Sequence, residues 1–176
     1  RLLNLEAPSN FPLRQAVFSL GSNLGDRIKH LKTALEKLRH RGVGITAVSR
    51  VYETRAVEVD GPQQHYYNLA VAVEYEGTPR ELLGICRGIE DDLGRERPYR
   101  HAPRTIDIDI LMLDEVRVSA PDLVIPHPAM ERRAFVIFPL SEIAPGVVLP
   151  SGKGIIEVKN SLPQDGIVRV RIFDDE

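Results

Sequence analysis

The stretch Thr105–Leu113 places the tightest constraint on how this chain can fold. Apolar and acidic residues alternate from Ile106 to Ile110, and an apolar run follows. Alternation with a period of two predicts a β-strand with the isoleucines on one face and Asp107 and Asp109 on the other. Two interpretations of the acidic pair remain open. It is either a solvated strand face or a pair of carboxylates that hold Mg²⁺ against a phosphate chain.

Hydrophobic periodicity in the preceding part of the chain predicts a β-α-β-β-α order before this strand. The expected strands cover 15–20, 43–52 and 66–76. The expected helices cover 24–40, with Asn23 as N-cap, and 79–93, with Thr78 as N-cap, Pro79 in the first turn and Gly94 as the stop. This order predicts an α+β protein with a ferredoxin-like βαββαβ core, whose antiparallel sheet has its helices packed on one face. Asp107 and Asp109 would lie on the other, free face.

Outside this core the patterns are weaker. They predict short helices at 130–138 and 139–144 and closing strands at 147–150 and 168–173. Residues 1–14 contain prolines and have no period, which is typical of a flexible tail or linker. We therefore expect one domain over 15–176.

Charge and cysteine content exclude several classes of protein. The chain has 23 basic and 25 acidic residues. This balance lacks the excess of positive charge that is typical of proteins that bind nucleic acid or an anionic membrane. No apolar run approaches the ~20 residues of a membrane span, and no secretory signal is visible, so a cytoplasmic protein is expected. Cys86 is the single cysteine, which excludes an intrachain disulfide and a cysteine metal cage.

An arginine-rich loop directly precedes the acidic strand. It contains Arg95, Arg97, Arg100 and Arg104. Guanidinium groups bind phosphate oxygens bidentately, and phosphoryl transfer needs positive charge beside metal ligands. Surface ion pairs within the loop are the alternative. The chain has neither a Walker-type phosphate loop nor the dinucleotide fingerprint, so arginines and magnesium would have to hold any ATP.

Two further groups of residues could bind a ligand or could have a purely structural role. His127 lies between two prolines and near two arginines, where it could contact a phosphate or be an ordinary surface histidine. Tyr66 and Asn68 share a strand face, and with Phe135 they could bind a flat heterocycle, although the aromatic rings could equally belong to the core.

With these residues described, the sequence resembles the 6-hydroxymethyl-7,8-dihydropterin pyrophosphokinase family of folate biosynthesis. The resemblance spans about residues 16–150. The motifs that carry it, in order, are SLGSNLG (19–25), YET (52–54), YN (67–68), LGRER (93–97), APRTIDIDI (102–110), IPHP (125–128), RAFV (133–136) and PLSEIAP (139–145). Several independent motifs in one order are far more specific than any single motif. The ferredoxin-like fold of the family agrees with the order of elements derived above.

The resemblance implies an activity and a role for particular residues. ATP would donate its diphosphate to the hydroxymethyl group of a reduced pterin, and AMP would leave. The implied groups are the metal ligands Asp107 and Asp109, which would hold two Mg²⁺ ions; the catalytic residues Arg95, Arg104, Asp107 and Asp109; the substrate-binding residues Thr54, Val57, Tyr66, Asn68 and Phe135; and the ATP-binding residues Glu90, Arg97, Arg100, Ile110, His127 and Arg133.

Two other hypotheses compete with this one. Another metal-dependent nucleotidyl or phosphoryl transferase could use the same fold. A single-strand RNA-binding module would need basic charge and exposed aromatic residues on its central strands, and the acidic strand has neither. We therefore expect small-molecule partners, ATP and a reduced pterin, with no nucleic acid and no membrane. Fusion to, or proximity to, another folate-pathway enzyme is also expected, since fused members of the family occur.

Overall fold

The computed structural model describes residues 11–55, 63–94 and 105–170. The elements in chain order are β1 (Leu13–Ser22), α1 (Arg27–His40), β2 (Gly44–Val48), β3 (Val51–Thr54), β4 (Tyr66–Glu76), α2 (Pro79–Asp92), β5 (Asp107–Leu113), β6 (Val118–Ala120), β7 (Leu123–Ile125), a 3-10 turn (Met130–Arg132), α3 (Ala134–Ile143), α4 (Ile155–Ser161) and β8 (Ile167–Val170). The protein is of the α+β class. No helix among the described residues is long and apolar enough to cross a membrane.

A six-stranded antiparallel sheet forms the centre of the molecule. Its strands follow the order β5-β1-β4-β3-β8, and β2 also pairs with β4. The acidic strand β5 pairs with β1, which pairs with β4 along its whole length. β6 and β7 form a separate two-stranded sheet. β1 begins at Leu13, inside the segment predicted to be a tail, and residues 1–10 lie outside the described part of the chain.

The first face of the sheet is covered by α1 and α2. Leu31, Leu35 and Leu38 of α1 recur at helical spacing and are buried in one apolar cluster with Phe18 and Ile108. In α2 the side chain of Thr78 accepts a hydrogen bond from the Glu81 N–H at 3.1 Å, and Pro79 opens the helix, as predicted. This part of the fold follows from the hydrophobic periodicity.

The second face is not free, and this corrects the prediction that the helices pack on one side alone. A second apolar cluster joins α3 and α4 to this face through residues such as Ala70, Leu111 and Ile137. The stretch 134–143 is apolar except for Ser141 and the exposed Glu142, so it is stable only when most of its surface is buried. It also continues through Pro139, where a break was predicted, because burial outweighs the one helix hydrogen bond that proline removes.

Three other boundaries differ from the predicted ones. Asp26, not Asn23, caps α1, because its carboxylate accepts the Lys29 N–H at 3.1 Å. The predicted strand 43–52 is divided at Ser49, whose hydroxyl takes the place of a backbone acceptor for the Ala70 N–H at 2.8 Å. At 147–150 an isolated bridge between Val148 and Gly154 replaces the predicted strand. The helix α4 and the strand β7 were not predicted.

A β-bulge in β5 decides which residues face the second side of the sheet. The register shifts between Val17 and Phe18, so that Phe18 pairs with Ile110 while Val17 pairs with Met112. Up to Leu111 the alternation holds, with Ile110 in the first core and Leu111 in the second. After the bulge Met112 also packs against the second core and Leu113 lies in the first, which reverses the sides that strict alternation would give. The helices α3 and α4 therefore cover this face beside Leu111, and Asp107 and Asp109 lie at its other end.

Candidate active site

The two aspartates of β5 lie on the second face, as the alternation predicted, and both are half-buried. Asp107 pairs with Gly21 of β1, and Asp109 pairs with Ser19 of the same strand. On the other side of β1, Gly21 pairs with Asn68 of β4. Asp107, Gly21 and Asn68 therefore form one row across three strands. Since neighbouring strands lie about 4.8 Å apart, the outer two Cα atoms of this row are about 10 Å apart.

Gly21 leaves room in the middle of this row. A Cβ atom at this position would lie 2.6 Å from Oδ1 of Asn68, closer than real Cβ atoms come. Asn68 is only 4% exposed, and its Nδ2 donates to Oγ1 of Thr54 at 3.3 Å. Thr54 in turn pairs with Tyr66. The predicted substrate-binding residues Thr54, Tyr66 and Asn68 thus lie together, on the same face as the acids.

A first cavity, of about 340 Å³, opens beside the edge strand β5. The residues that line it come from α2, from the middle of β5 and from the segment around β7: Leu83, Arg87, Glu90, Ile108, Asp109, Ile110, Pro121, Asp122, Leu123, Val124, His127 and Pro128. Three predicted ATP-binding residues, Glu90, Ile110 and His127, therefore surround one cavity together with the predicted metal ligand Asp109.

Glu90 links α2 to the acidic strand. The residue is buried, with 6% of its surface exposed, and Oε2 accepts the backbone N–H of Ile108 at 3.3 Å. Ile108 lies between Asp107 and Asp109. A carboxylate from the helix therefore contacts the backbone that carries both acids.

The backbone and the ring of His127 are both held by hydrogen bonds. The His127 N–H donates to the Leu111 carbonyl at 2.8 Å, and Nδ1 accepts the Ala129 N–H at 3.1 Å. This second bond leaves Nε2 to carry the proton of the neutral ring. Burial lowers the pKa of His127, with smaller lowering effects of Arg133 and Arg132, while the negative charge of Asp109 opposes them. The imidazole is therefore neutral at pH 7 and presents one N–H donor.

Arg133 lies at the N-cap of α3, with its guanidinium carbon 5.5 Å from the centre of the Phe135 ring. At the rim of the first cavity Nη1 of Arg80 donates to both carboxylate oxygens of Asp122, at 2.7 and 2.6 Å. Arg87 approaches the same carboxylate at 3.7 Å. The hydrogen bond from Arg80 is the main cause that lowers the pKa of Asp122.

A second cavity, of about 360 Å³, lies at the Thr54 end of the sheet. It is lined by Thr54, Arg55, Ala134, Phe135, Asp165, Gly166 and Ile167. Two predicted substrate-binding residues, Thr54 of β3 and Phe135 of α3, thus meet in one cavity. Its lining combines apolar residues (Ala134, Phe135 and Ile167) with polar and charged ones (Thr54, Arg55 and Asp165).

The acidic side chains of β5 offer two oxygen donors for a metal ion. No cluster of three or more histidine, cysteine or acidic side chains suited to a metal is found within 11–55, 63–94 and 105–170. The two carboxylates on one face nevertheless fit the ion, because Mg²⁺ prefers hard oxygen ligands and usually takes the remaining ones from phosphates and water. Val57, Arg95, Arg97, Arg100 and Arg104 lie outside the described residues.

Sequence reasoning missed several residues of these cavities. Arg87 lies one helical turn before Glu90, a spacing that would have placed it on the same face. Gly21 lies within the SLGSNLG motif (19–25), but its place beside Asn68 depends on the strand register, which the motif does not reveal. Asp165, Gly166 and Ile167 are more than a hundred residues from Thr54 in the chain, and no local pattern connects them.

Comparison with known proteins identifies the family of the chain. Residues 17–145 match the family model described as 7,8-dihydro-6-hydroxymethylpterin-pyrophosphokinase. The chain therefore belongs to this family of enzymes, which confirms the family and the enzyme class predicted from the motifs. A similar protein from Methylorubrum extorquens, named 2-amino-4-hydroxy-6-hydroxymethyldihydropteridine pyrophosphokinase, is 42% identical over 159 residues, which cover 90% of this chain and 99% of that protein.

One further relative and one solved structure each match this chain over only part of their own length. The mitochondrial folate synthesis bifunctional protein of Arabidopsis thaliana is 37% identical over 129 residues, which cover 73% of this chain but 23% of that protein. Among solved structures, wild-type HPPK-DHPS of Plasmodium falciparum superposes with a TM-score of 0.70 at 15% identity, covering 88% of this chain and 43% of that chain. At this identity the superposition establishes the fold alone.

Proposed function

We propose that this protein transfers diphosphate from ATP to 6-hydroxymethyl-7,8-dihydropterin, releasing AMP, as a step of folate biosynthesis. The observation that carries the proposal is the row Asp107–Gly21–Asn68, which connects the cavity beside β5 to the residues around Thr54. A nucleotide in the first cavity and a heterocycle near the second would meet above this row. Family membership supplies the identity of both substrates.

The first cavity has suitable chemistry for ATP. Leu83, Ile108 and Ile110 offer apolar contacts to a base, while the N–H of the neutral His127 ring and the Arg87 guanidinium offer donors to phosphate or ribose oxygens. Arg133 adds positive charge near His127. These groups bind and orient the nucleotide, which converts a reaction between two substrates into one between correctly placed neighbours.

Asp107 and Asp109 would hold Mg²⁺. When bound, the ion neutralises phosphate charge and favours attack on phosphorus. The two acids need no proton transfer for this role. Glu90 supports it from behind by holding the Ile108 N–H between them.

The pterin side is formed by three groups. The Asn68 amide, held by Thr54, provides a donor and an acceptor for the edge of the heterocycle. Phe135 supplies an aromatic face for the ring. Because Gly21 lacks a side chain, the substrate hydroxyl has a path from this pocket to the aspartates.

Charge stabilisation during transfer is assigned to the arginines of the loop that precedes β5. Arg95 and Arg104 are the proposed catalytic members, and Arg97 and Arg100 are proposed to contact ATP. Guanidinium groups suit the charge that spreads over the non-bridging oxygens in phosphoryl transfer. Val57 remains a proposed pterin contact on the same sequence grounds.

The core is proposed to be ferredoxin-like, since β5-β1-β4-β3 follows the strand order of a βαββαβ unit with α1 and α2 on one face. In this view β8, α3 and α4 are additions. Cytoplasmic localisation stays a prediction. Proximity to another folate-pathway enzyme is a further proposal, supported by the bifunctional relatives.

Identification of the nucleotide product tests the activity. Purified protein is incubated with Mg²⁺, ATP and 6-hydroxymethyl-7,8-dihydropterin, and nucleotides are separated by chromatography. AMP that forms only when the pterin is present is the expected result. ADP as the product, or release of AMP at the same rate without pterin, would exclude the proposed reaction.

A further inference from the structure

The C-terminal segment of the chain reaches the substrate side of the site. The family model ends at residue 145, whereas the second cavity is lined in part by Asp165, Gly166 and Ile167. These three residues share the cavity with Thr54 and Phe135. A segment beyond the matched region therefore borders the place proposed for the pterin.

Strand pairing places this segment there. β8 is antiparallel to β3, and its first residue, Ile167, pairs with Thr54. The turn that precedes Ile167 therefore lies at the end of the sheet where Thr54 and Tyr66 lie. Ile167 also packs against the second apolar cluster, which anchors the start of β8 beside α3.

The chemistry of the cavity suits a flat ring with polar groups on its edge. Ala134, Phe135 and Ile167 provide apolar surface. Asp165 is exposed, and its carboxylate can only accept hydrogen bonds, so it complements N–H donors such as the amino and ring N–H groups of a pterin. Gly166 has a φ of +77°, a left-handed conformation that glycine adopts readily, and it forms the turn between Asp165 and β8.

We propose that the turn Asp165–Ile167 is a wall of the pterin pocket and that Asp165 determines specificity on this side by accepting a hydrogen bond from the heterocycle. The proposal rests on the proposed function of the site. The turn lies beyond residues 17–145, the range that matches the family model, so relatives with another C-terminal region would select substrate analogues differently.

The test compares Asp165→Asn with a matched control in the same C-terminal segment. Glu157→Gln removes an exposed negative charge from α4, away from the cavity. For the wild type and both variants, KM is measured separately for the reduced pterin and for ATP, and binding of the pterin is measured by calorimetry. Melting temperatures are recorded to check folding.

Asp165→Asn keeps an acceptor oxygen but loses the negative charge, so it is expected to raise KM and Kd for the pterin by roughly fivefold, the difference between a hydrogen bond to a charged acceptor and one to a neutral acceptor. KM for ATP and both constants of Glu157→Gln should stay at wild-type values. Equal pterin constants in the two variants would overturn the assignment of Asp165. A parallel rise of KM for the pterin and KM for ATP in Asp165→Asn would also overturn it. If the wild type forms no AMP, the proposed function itself fails, and this inference fails with it.

Discussion

At the scale of single residues, the site depends on the positions of two carboxylates and on the absence of one side chain. Asp107 and Asp109 are half-buried on one sheet face, where each pairs with a small residue of β1. Neither is buried deeply enough to belong to an apolar core, so their removal has little effect on packing. Their proposed role is to hold a cation against phosphate.

The first prediction concerns this pair. Asp107→Asn and Asp109→Asn should each lower kcat by roughly a hundredfold or more, because the charge that holds the cation is lost while the shape is kept. Steady-state kinetics over a range of Mg²⁺ concentrations measure the effect, and denaturant unfolding should show a change below about 1 kcal/mol. Glu115→Gln, in the exposed turn after β5, is the control. Variants that keep kcat within tenfold of the wild type would refute the metal assignment.

Gly21 acts by leaving space. A methyl group there meets Oδ1 of Asn68 at 2.6 Å, so either the amide or the strand must move. Asn68 is almost fully buried and hydrogen-bonded to Thr54, which makes an adjustment costly.

The second prediction follows from this contact. Gly21→Ala should raise KM for the pterin by roughly tenfold and lower the free energy of unfolding by about 1–3 kcal/mol, the range for inserting a methyl group into a packed region. The control is Gly44→Ala in β2, where the new methyl would lie 3.6 Å from the Glu74 carbonyl oxygen, an ordinary contact. If the two variants have the same pterin KM, Gly21 has no special role.

At the scale of elements, α2 and β5 act as a unit. The contact between them that matters for function is polar, since the buried carboxylate of Glu90 accepts the Ile108 N–H. A strand edge has backbone groups without a partner strand, and a fixed acceptor beside it holds the strand in place. Through this contact the helix fixes the backbone between the two acids.

The third prediction tests this coupling. Glu90→Ala removes a buried acceptor and should lower the free energy of unfolding by about 2–3 kcal/mol. Glu90→Gln retains an acceptor oxygen and should lose less. Urea unfolding measures both, with Asp91→Ala at the neighbouring exposed position as control. A loss in Glu90→Ala no larger than in Asp91→Ala would show that the contact contributes nothing.

Elements with strong local patterns were predictable. The strand Tyr66–Glu76 and the capped start of α2 agree with the prediction because alternation and capping chemistry are local. The division of the predicted strand 43–52 was not predictable. The Ser49 hydroxyl replaces a backbone acceptor only when β4 lies beside it. The continuous helix through Pro139 depends in the same way on burial by the rest of the molecule.

At the scale of the whole molecule, one sheet separates two apolar cores. Leu31 and Cys86 belong to the first core and Ile137 to the second, and all three are fully buried. Burial raises the pKa of the Cys86 thiol to about 12, so in the folded protein it is protonated and inaccessible at pH 8. Its labelling therefore reports the opening of the first core.

The fourth prediction is that both cores unfold together. Leu31→Ala and Ile137→Ala should each lower the free energy of unfolding by about 2–5 kcal/mol, and circular dichroism and Cys86 labelling should give the same midpoint. Ile156→Ala, on the exposed side of α4, should change it by less than about 1 kcal/mol. If Ile137→Ala shifts the circular dichroism transition but not the labelling transition, the two layers unfold separately.

The sequence by itself determined the family, the enzyme class, the α+β pattern and the face on which Asp107 and Asp109 lie. These properties are local, because alternation, helical spacing and ordered motifs need no knowledge of distant neighbours. Tertiary structure alone decided that α3 and α4 cover part of the second face, that Gly21 makes room for Asn68, and that Asp165–Ile167 borders the cavity of Thr54 and Phe135. Each of these depends on strand register or on burial between segments far apart in the chain, which no local pattern records.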